Sequence, residues 1–330
     1  MESFKVGAPQ NFKDKNITMA QPNPLNAPKT PGTDTRTLIL GIGVGLMAAS
    51  IGALYTVFAR WGMARGLTSP DLTALRFGVA GLVTAPLLLM ALVQQRHALL
   101  EKWRVWLAVS LLAGTPFGLL MFGALQFAPT SHAAVFPFAS MSVMGMLLGA
   151  WVLKDPLTRR RATGIALVLG GLLLVSGVDA ASFTASALLG DGMFIAAGTL
   201  WAGFGSLLRK HQLPPLLATA VISFSALVTY VPVYLWTTGA AGLLAASPEV
   251  FWTEVLVQGL IAGGGTLFTY AKMVSILGPA RAAIFPALAP GLAALMAWPV
   301  LGHLPANLEV AGLLVVMLGL LLAVTGSRRT

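Results

Sequence analysis

From Leu38 onward the chain is a succession of apolar runs, and their length constrains the fold more than any motif does. A bilayer-spanning helix needs about 17 to 25 predominantly apolar residues. The first five runs of that kind are Leu38–Trp61, Asp71–Gln94, Trp103–Gln126, His132–Leu153 and Arg161–Val178. The second five are Leu189–Leu208, Pro215–Thr238, Phe251–Ala271, Arg281–Leu301 and Leu308–Thr325. Backbone groups in hydrocarbon find no water, so only helices or a closed barrel can span it. The runs lack the alternation of barrel strands, so the expected fold is an all-α membrane protein with ten transmembrane helices. Composition agrees, with 56% hydrophobic and 10% charged residues, against roughly 25% charged in an average soluble domain.

Residues 1–36 differ in kind. They hold Pro9, Pro22, Pro24, Pro28 and Pro31 and no apolar run long enough for a signal-peptide core, which predicts a disordered cytoplasmic tail. Met1 and Met19 are both candidate starts. With the tail in the cytoplasm, alternate loops collect every Lys and Arg of the 21 except Arg60, Arg65 and Arg76. This asymmetry predicts both termini on the cytoplasmic side of a bacterial inner membrane. The net charge of +10 is thereby a topology signal, and a nucleic-acid partner is not expected.

The phrase His132–Met141, HAAVFPFASM, returns as Arg281–Pro290, RAAIFPALAP. In the same register Trp103 matches Trp252, Leu111–Gly114 matches Leu260–Gly263, Arg60 matches Arg209, and Pro156 matches Pro305. A tandem duplication of a five-helix unit accounts for this, with a first copy over 37–178 and a second over 188–326. Because five is odd, the second copy crosses the membrane in the opposite sense, as in the inverted repeats of secondary transporters.

The layout resembles the EamA family of the drug/metabolite transporter superfamily. The resemblance covers about Leu38 to Gly326 and rests on the ten spans, on LTALRFGVAG (Leu72–Gly81), on GDGMFIAAGTLWAGFGSLLRK (Gly190–Lys210), and on the repeated AA[VI]FP phrase ahead of Pro156 or Pro305. The chain departs from the family at Gly52, where tryptophan is frequent, and before the loop proline, where Lys154 and Asp155, or Gly302 and His303, stand in place of glutamate. The resemblance implies two five-helix EamA repeats with a cavity between them, lined by spans 3, 4, 8 and 9 with help from 1 and 6.

No catalytic signature competes with this. The chain has no Cys, its four His are scattered, and neither HExxH nor GxSxG occurs. GIGVGL (Gly41–Leu46) lies inside an apolar run and reads as close helix packing. No catalytic residues, metal or cofactor are expected. Seven of the eight Trp lie near span ends, as an interfacial belt would place them. Trp201 lies midway through a span among small residues, where it either fills the core or stacks on a substrate. Gly114–Pro116 (GTP) and Gly263–Gly265 (GGG) fall at aligned midpoints of two spans, weakening both helices at mid-depth.

The reading is a secondary transporter of a small neutral or zwitterionic metabolite, an amino acid or relative being favoured, exported by alternating access. Its partners are that substrate and the surrounding lipid; the oligomeric state is left open. A membrane-embedded enzyme or lipid scramblase acting on lipid-linked substrates is the alternative. Candidate substrate contacts are Tyr55, Thr115, Phe136, Ser140 and Trp201 in the chain's first two thirds, and Gly264, Thr266, Tyr270 and Phe285 beyond. Candidate gating residues are Arg76, Pro137 and Pro286. Arg76 lies within a span and either gates, pairs with Asp191 or snorkels. Each proline frees a carbonyl one turn back, at Ala133 or Ala282, and favours either a moving gate or a static kink. Every acid lies in the tail, in a loop or near a span end, Asp191 and Glu254 reaching deepest, which argues against a relay through buried carboxylates.

Overall fold

A computed structural model describes residues 35–176, 180–301 and 306–325, and every regular element among them is helical. The first repeat supplies α1 (Thr35–Met63), α2 (Ser69–Glu101), α3 (Trp103–Ala113), α4 (Thr115–Phe127), α5 (Thr130–Leu153) and α6 (Arg159–Ser176). The second supplies α7 (Ala185–Lys210), α8 (Pro215–Thr238), the short α9 (Ala241–Ala245) and α10 (Pro248–Glu254). A π-helical stretch, Val255–Thr266, leads into α11 (Leu267–Leu277) and the single turn α12 (Pro279–Ala282). A 3-10 turn, Phe285–Leu288, then precedes α13 (Ala289–Leu301) and α14 (Asn307–Thr325). The tail expected over residues 1–36 lies outside the described residues, except that Thr35 and Arg36 already belong to α1.

Local chemistry sets the helix ends. Thr68 donates its backbone N–H and its hydroxyl to Asp71 Oδ2, at 2.7 and 2.6 Å, and Pro70 sits in the first turn where no N–H is needed. Thr184 Oγ1 accepts from the Ala187 N–H at 3.1 Å to start α7. Gly239 ends α8 with φ +60°, a conformation that disfavours any residue with a Cβ.

Eight helical segments among the described residues are long and apolar enough to cross a membrane. Two of the ten expected spans are not among them. The expected Arg161–Val178 corresponds to α6, which opens on three consecutive arginines, and residues 177–179 are outside the description. The expected Arg281–Leu301 is not one helix: α12, the 3-10 turn and α13 share it. Pro286 and Pro290 stand one turn apart and remove two donors in succession, so the chain tightens into i→i−3 bonds such as Ala287 N–H to Ile284 O, 3.1 Å. Met141 occupies the place of Pro290 in the first copy, and α5 runs on unbroken through Pro137. The two prolines therefore sit in unequal settings.

The two mid-span weak points are irregular in both copies. Gly114 separates α3 from α4, and a Cβ there would collide with the Ser110 carbonyl oxygen. The GGG segment lies within the π-helical stretch.

Packing follows an exchange rule. α2 pairs with α8 and α6 with α14, each with its own counterpart in the other copy. α5 lies on α7, and correspondingly the 3-10 turn and α13 lie on α1; α4 lies on α7, and α11 with the π-helical stretch lies on α1. Small residues make the tightest of these seams. At the α6–α14 contact a Cβ on Gly164 would come 2.6 Å from Gly319 O, and one on Gly171 2.8 Å from Gly312 O, so the two backbones meet directly.

Candidate functional site

A cavity opens where the two copies meet. The first copy lines it with Ala48, Ala49, Gly52 and Tyr55 of α1, Phe117 of α4, and Phe138 and Met141 of α5. The second copy brings Trp201 of α7, Thr266 and Tyr270 around the π-helix junction, and Pro286 and Ala289 beside the break. Its volume of about 30 Å³ holds a water rather than a metabolite. This conformation is therefore closed around its centre.

The walls are aromatic. Trp201 stands 4.7 Å, ring centre to ring centre, from both Phe117 and Tyr270, and 5.5 Å from Phe204. Gly205 lets Tyr270 approach α7, since a Cβ there would lie 2.7 Å from the phenol oxygen. Three polar atoms in this wall have no hydrogen-bond partner among the described residues: Trp201 Nε1, Thr266 Oγ1 and Tyr270 Oη. Buried N–H and O–H groups are normally paired, so an unpaired set around a cavity is poised for acceptors on a ligand.

Behind Tyr55 sits a buried cation. Arg76 is 1% exposed, its guanidinium carbon 4.6 Å above the Tyr55 ring, with Nε and Nη1 unpaired. The sequence alternative in which Arg76 pairs with Asp191 is corrected here. Asp191 is taken by His132, whose Nδ1 is 2.9 Å from both carboxylate oxygens while Nε2 is 2.6 Å from Ser182 Oγ. That contact ties α5, α7 and the connection between the copies, with the rings of Phe136 and Phe183 against the imidazole.

Of the expected substrate contacts, Tyr55, Trp201, Thr266 and Tyr270 line the cavity, as does Pro286 from the gating set. The others do not. Phe285 is fully buried against α1 at Gly45. Ser140 spends its hydroxyl on Pro137 O, 2.9 Å away, in the α5–α7 seam. Phe136 packs on His132 at 5.3 Å. Thr115 is half-buried at the start of α4, and a Cβ on Gly264 would meet nothing within 4 Å. Phe117, Phe138 and Met141 were missed, although Phe138 and Met141 share a face at i, i+3 spacing that Phe136 does not.

The acids are more deeply enclosed than their positions near span ends suggest. Asp71, Asp191 and Glu254 are all buried. Asp71 is held by Thr68 and by the Tyr234 hydroxyl of α8, and Asp191 by His132. Among the described residues neither carboxylate oxygen of Glu254 meets hydrogen-bond geometry with a donor. Among the described residues no group of three or more His, Asp or Glu could hold a metal.

Comparison with known proteins decides the family. The sequence profile of the EamA-like transporter family matches twice, over residues 39–177 and 188–325. The chain belongs to the EamA-like transporter family. As an EamA transporter it is similar to a protein of Salmonella typhimurium (strain LT2) described as a probable amino-acid metabolite efflux pump. The two are 26% identical over 218 residues, covering 63% of this chain and 72% of the relative. A crystal structure covering 89% of this chain, and 99% of its own, superposes with a TM-score of 0.68 at 17% identity, a likeness of fold.

Proposed function

We propose that this EamA transporter exports a small neutral or zwitterionic metabolite, an amino acid or close relative, by alternating access at the central cavity. The observation that carries the reading is the aromatic wall bearing unpaired Trp201 Nε1, Thr266 Oγ1 and Tyr270 Oη, assembled from both copies. Aromatic faces suit an apolar side chain, and the N–H and O–H groups suit a carboxylate or carbonyl. The efflux activity in the description of the Salmonella relative supports amino-acid metabolites and the outward direction. In this reading α6 and the α12–α13 segment complete ten spans in two inverted copies, 37–178 and 188–326. Arg76 and Pro286 gate the cavity, Pro286 at the break and Arg76 behind Tyr55. The protein sits in the bacterial inner membrane in contact with lipid, both termini cytoplasmic. Single cysteines at the exposed Leu157 and Ala181 test that orientation: an impermeant thiol reagent should label Ala181→Cys in intact cells and spare Leu157→Cys, and the reverse would overturn it.

The enzyme alternative has one observation in its favour, since Asp191, His132 and Ser182 stand in the carboxylate–imidazole–hydroxyl order that activates a serine. The deciding experiment compares metabolites released by overexpressing and null cells, with Ser182→Ala alongside. Transport predicts one or a few small metabolites enriched outside overexpressing cells and unaffected by S182A. A released fragment of a lipid-linked substrate, lost in S182A, would overturn it.

A further inference from the structure

Glu254 closes α10 with 0% of its surface exposed, and among the described residues neither of its oxygens meets hydrogen-bond geometry with a donor. Gly62 of α1 makes the room for it, because a Cβ at Gly62 would lie 2.5 Å from Glu254 Oε1. Beside the carboxyl, one turn on, is Gln258. Its amide is fixed by a 2.9 Å bond from Nε2 to the Tyr55 carbonyl, which leaves Oε1 as a buried acceptor, also without a donor. Three acceptor oxygens thus share a buried space, and of the two Gln258 Nε2 hydrogens one is spent on the Tyr55 carbonyl. An ionised carboxylate there would have little beyond the second Nε2 hydrogen of Gln258 to offset its desolvation. A single proton on Glu254 supplies a donor that Gln258 Oε1 can accept.

Among the described residues no charged group on the surrounding elements hydrogen-bonds Glu254. Arg60 of α1 is itself engaged, Arg65 stacks on Trp61, Asp71 is bonded by Thr68 and Tyr234, and Arg76 lies on Tyr55. Glu249, earlier in α10, is exposed. The same Tyr55 whose carbonyl holds Gln258 presents its ring to the central cavity. A ligand that moves Tyr55 therefore moves the partner of Glu254.

We propose that Glu254 is a proton-binding site that couples export to proton exchange. A proton from the outer aqueous phase joins the carboxylate to give the neutral acid, which the closed conformation buries against Gln258 Oε1. Opening to the other side hydrates the group and releases the proton there, while substrate leaves in the opposite direction. The coupling rests on the transporter reading above; the proton site itself does not.

The test has two arms on the full chain in lipid. In the first, protein carrying carboxyl-13C glutamate is titrated by infrared spectroscopy. A protonated glutamic-acid carbonyl band should persist above about pH 6, where a solvated glutamate of pKa about 4.3 is ionised, and Glu254→Gln should remove it while Glu249→Gln does not. A band that vanishes by then, or survives in E254Q, overturns the site. In the second, proteoliposomes are loaded for counterflow of tritiated L-phenylalanine and L-leucine, with and without an inside-acid gradient. One proton exchanged per substrate lets one pH unit sustain up to about tenfold accumulation. Wild type should approach that, and E254Q should keep counterflow but lose the response to the gradient. Counterflow with no gradient response in wild type, accumulation on the alkaline side, or a full response in E254Q overturns the coupling and leaves the transporter reading standing. Absence of all counterflow fails the transporter reading for these probes and, with it, the coupling, while the infrared arm still decides the site. Should E254Q not accumulate in the membrane, Gly62→Ala, which intrudes on the carboxyl, should shift the band's titration, and an unshifted one overturns the site.

Discussion

His132 and Asp191 form a buried hydrogen-bonded pair in which losing one partner costs more than losing both. His132 is fully buried and Asp191 nearly so, so His132→Ala strands a carboxylate without its donor. Such a loss costs about 3 to 5 kcal/mol, whereas replacing both partners by apolar groups of similar volume is often neutral. Thermal unfolding of the detergent-solubilised protein should therefore show H132A well below wild type and H132L/D191L close to it. A double variant less stable than H132A, by the cost of Asp191→Leu alone, would mean the residues act independently. At this scale the sequence was readable where a side chain was unusual for its depth: Tyr55, Trp201, Thr266 and Tyr270 are aromatic or polar within apolar runs. It was not readable for Phe136 against Phe138, because α5 is apolar all round and offers no polar stripe to orient its faces. Ser140 misled for another reason, its hydroxyl being satisfied by its own helix at Pro137 O. Nor does an acid near a span end reveal whether it meets water or, like Glu254, a glycine from the next helix.

Helix interruptions were half legible. GTP and GGG mark both mid-span irregularities, since glycine and proline weaken helices by local chemistry alone. The loss of a continuous ninth span depends on Pro290 acting with Pro286, a pair that the repeated phrase disguised because Pro137 and Pro286 align. The difference is testable. Pro286 lines the cavity at a break, while Pro137 lies within continuous α5, so Pro286→Ala should restore a donor and stiffen the segment, slowing thiol labelling of a cysteine at Thr266 severalfold. Pro137→Ala should change that rate little. Arg76→Met, which frees the face of Tyr55, should raise it. Equal effects of the two proline variants would return both to the role of packing kinks.

At the scale of the whole molecule, the exchange of helix partners between copies places the cavity at their common boundary, so that neither copy alone encloses it. The duplication was legible because the repeated residues keep their register. The pairing of α6 with α14 was not, since glycines facing glycines look, in sequence, like any small residues in an apolar run. On the proposed function a small metabolite crosses through this boundary and touches Trp201. Counterflow of tritiated L-phenylalanine and L-leucine into sealed proteoliposomes measures it directly, with Trp201→Ala set beside Trp236→Ala, whose indole is 86% exposed. Wild type and W236A should show a counterflow peak, and W201A a rate at least about tenfold lower, the loss of roughly 1.4 kcal/mol of contact, at equal protein content. Equal peaks in the two variants, or no peak in wild type for either amino acid, would contradict it.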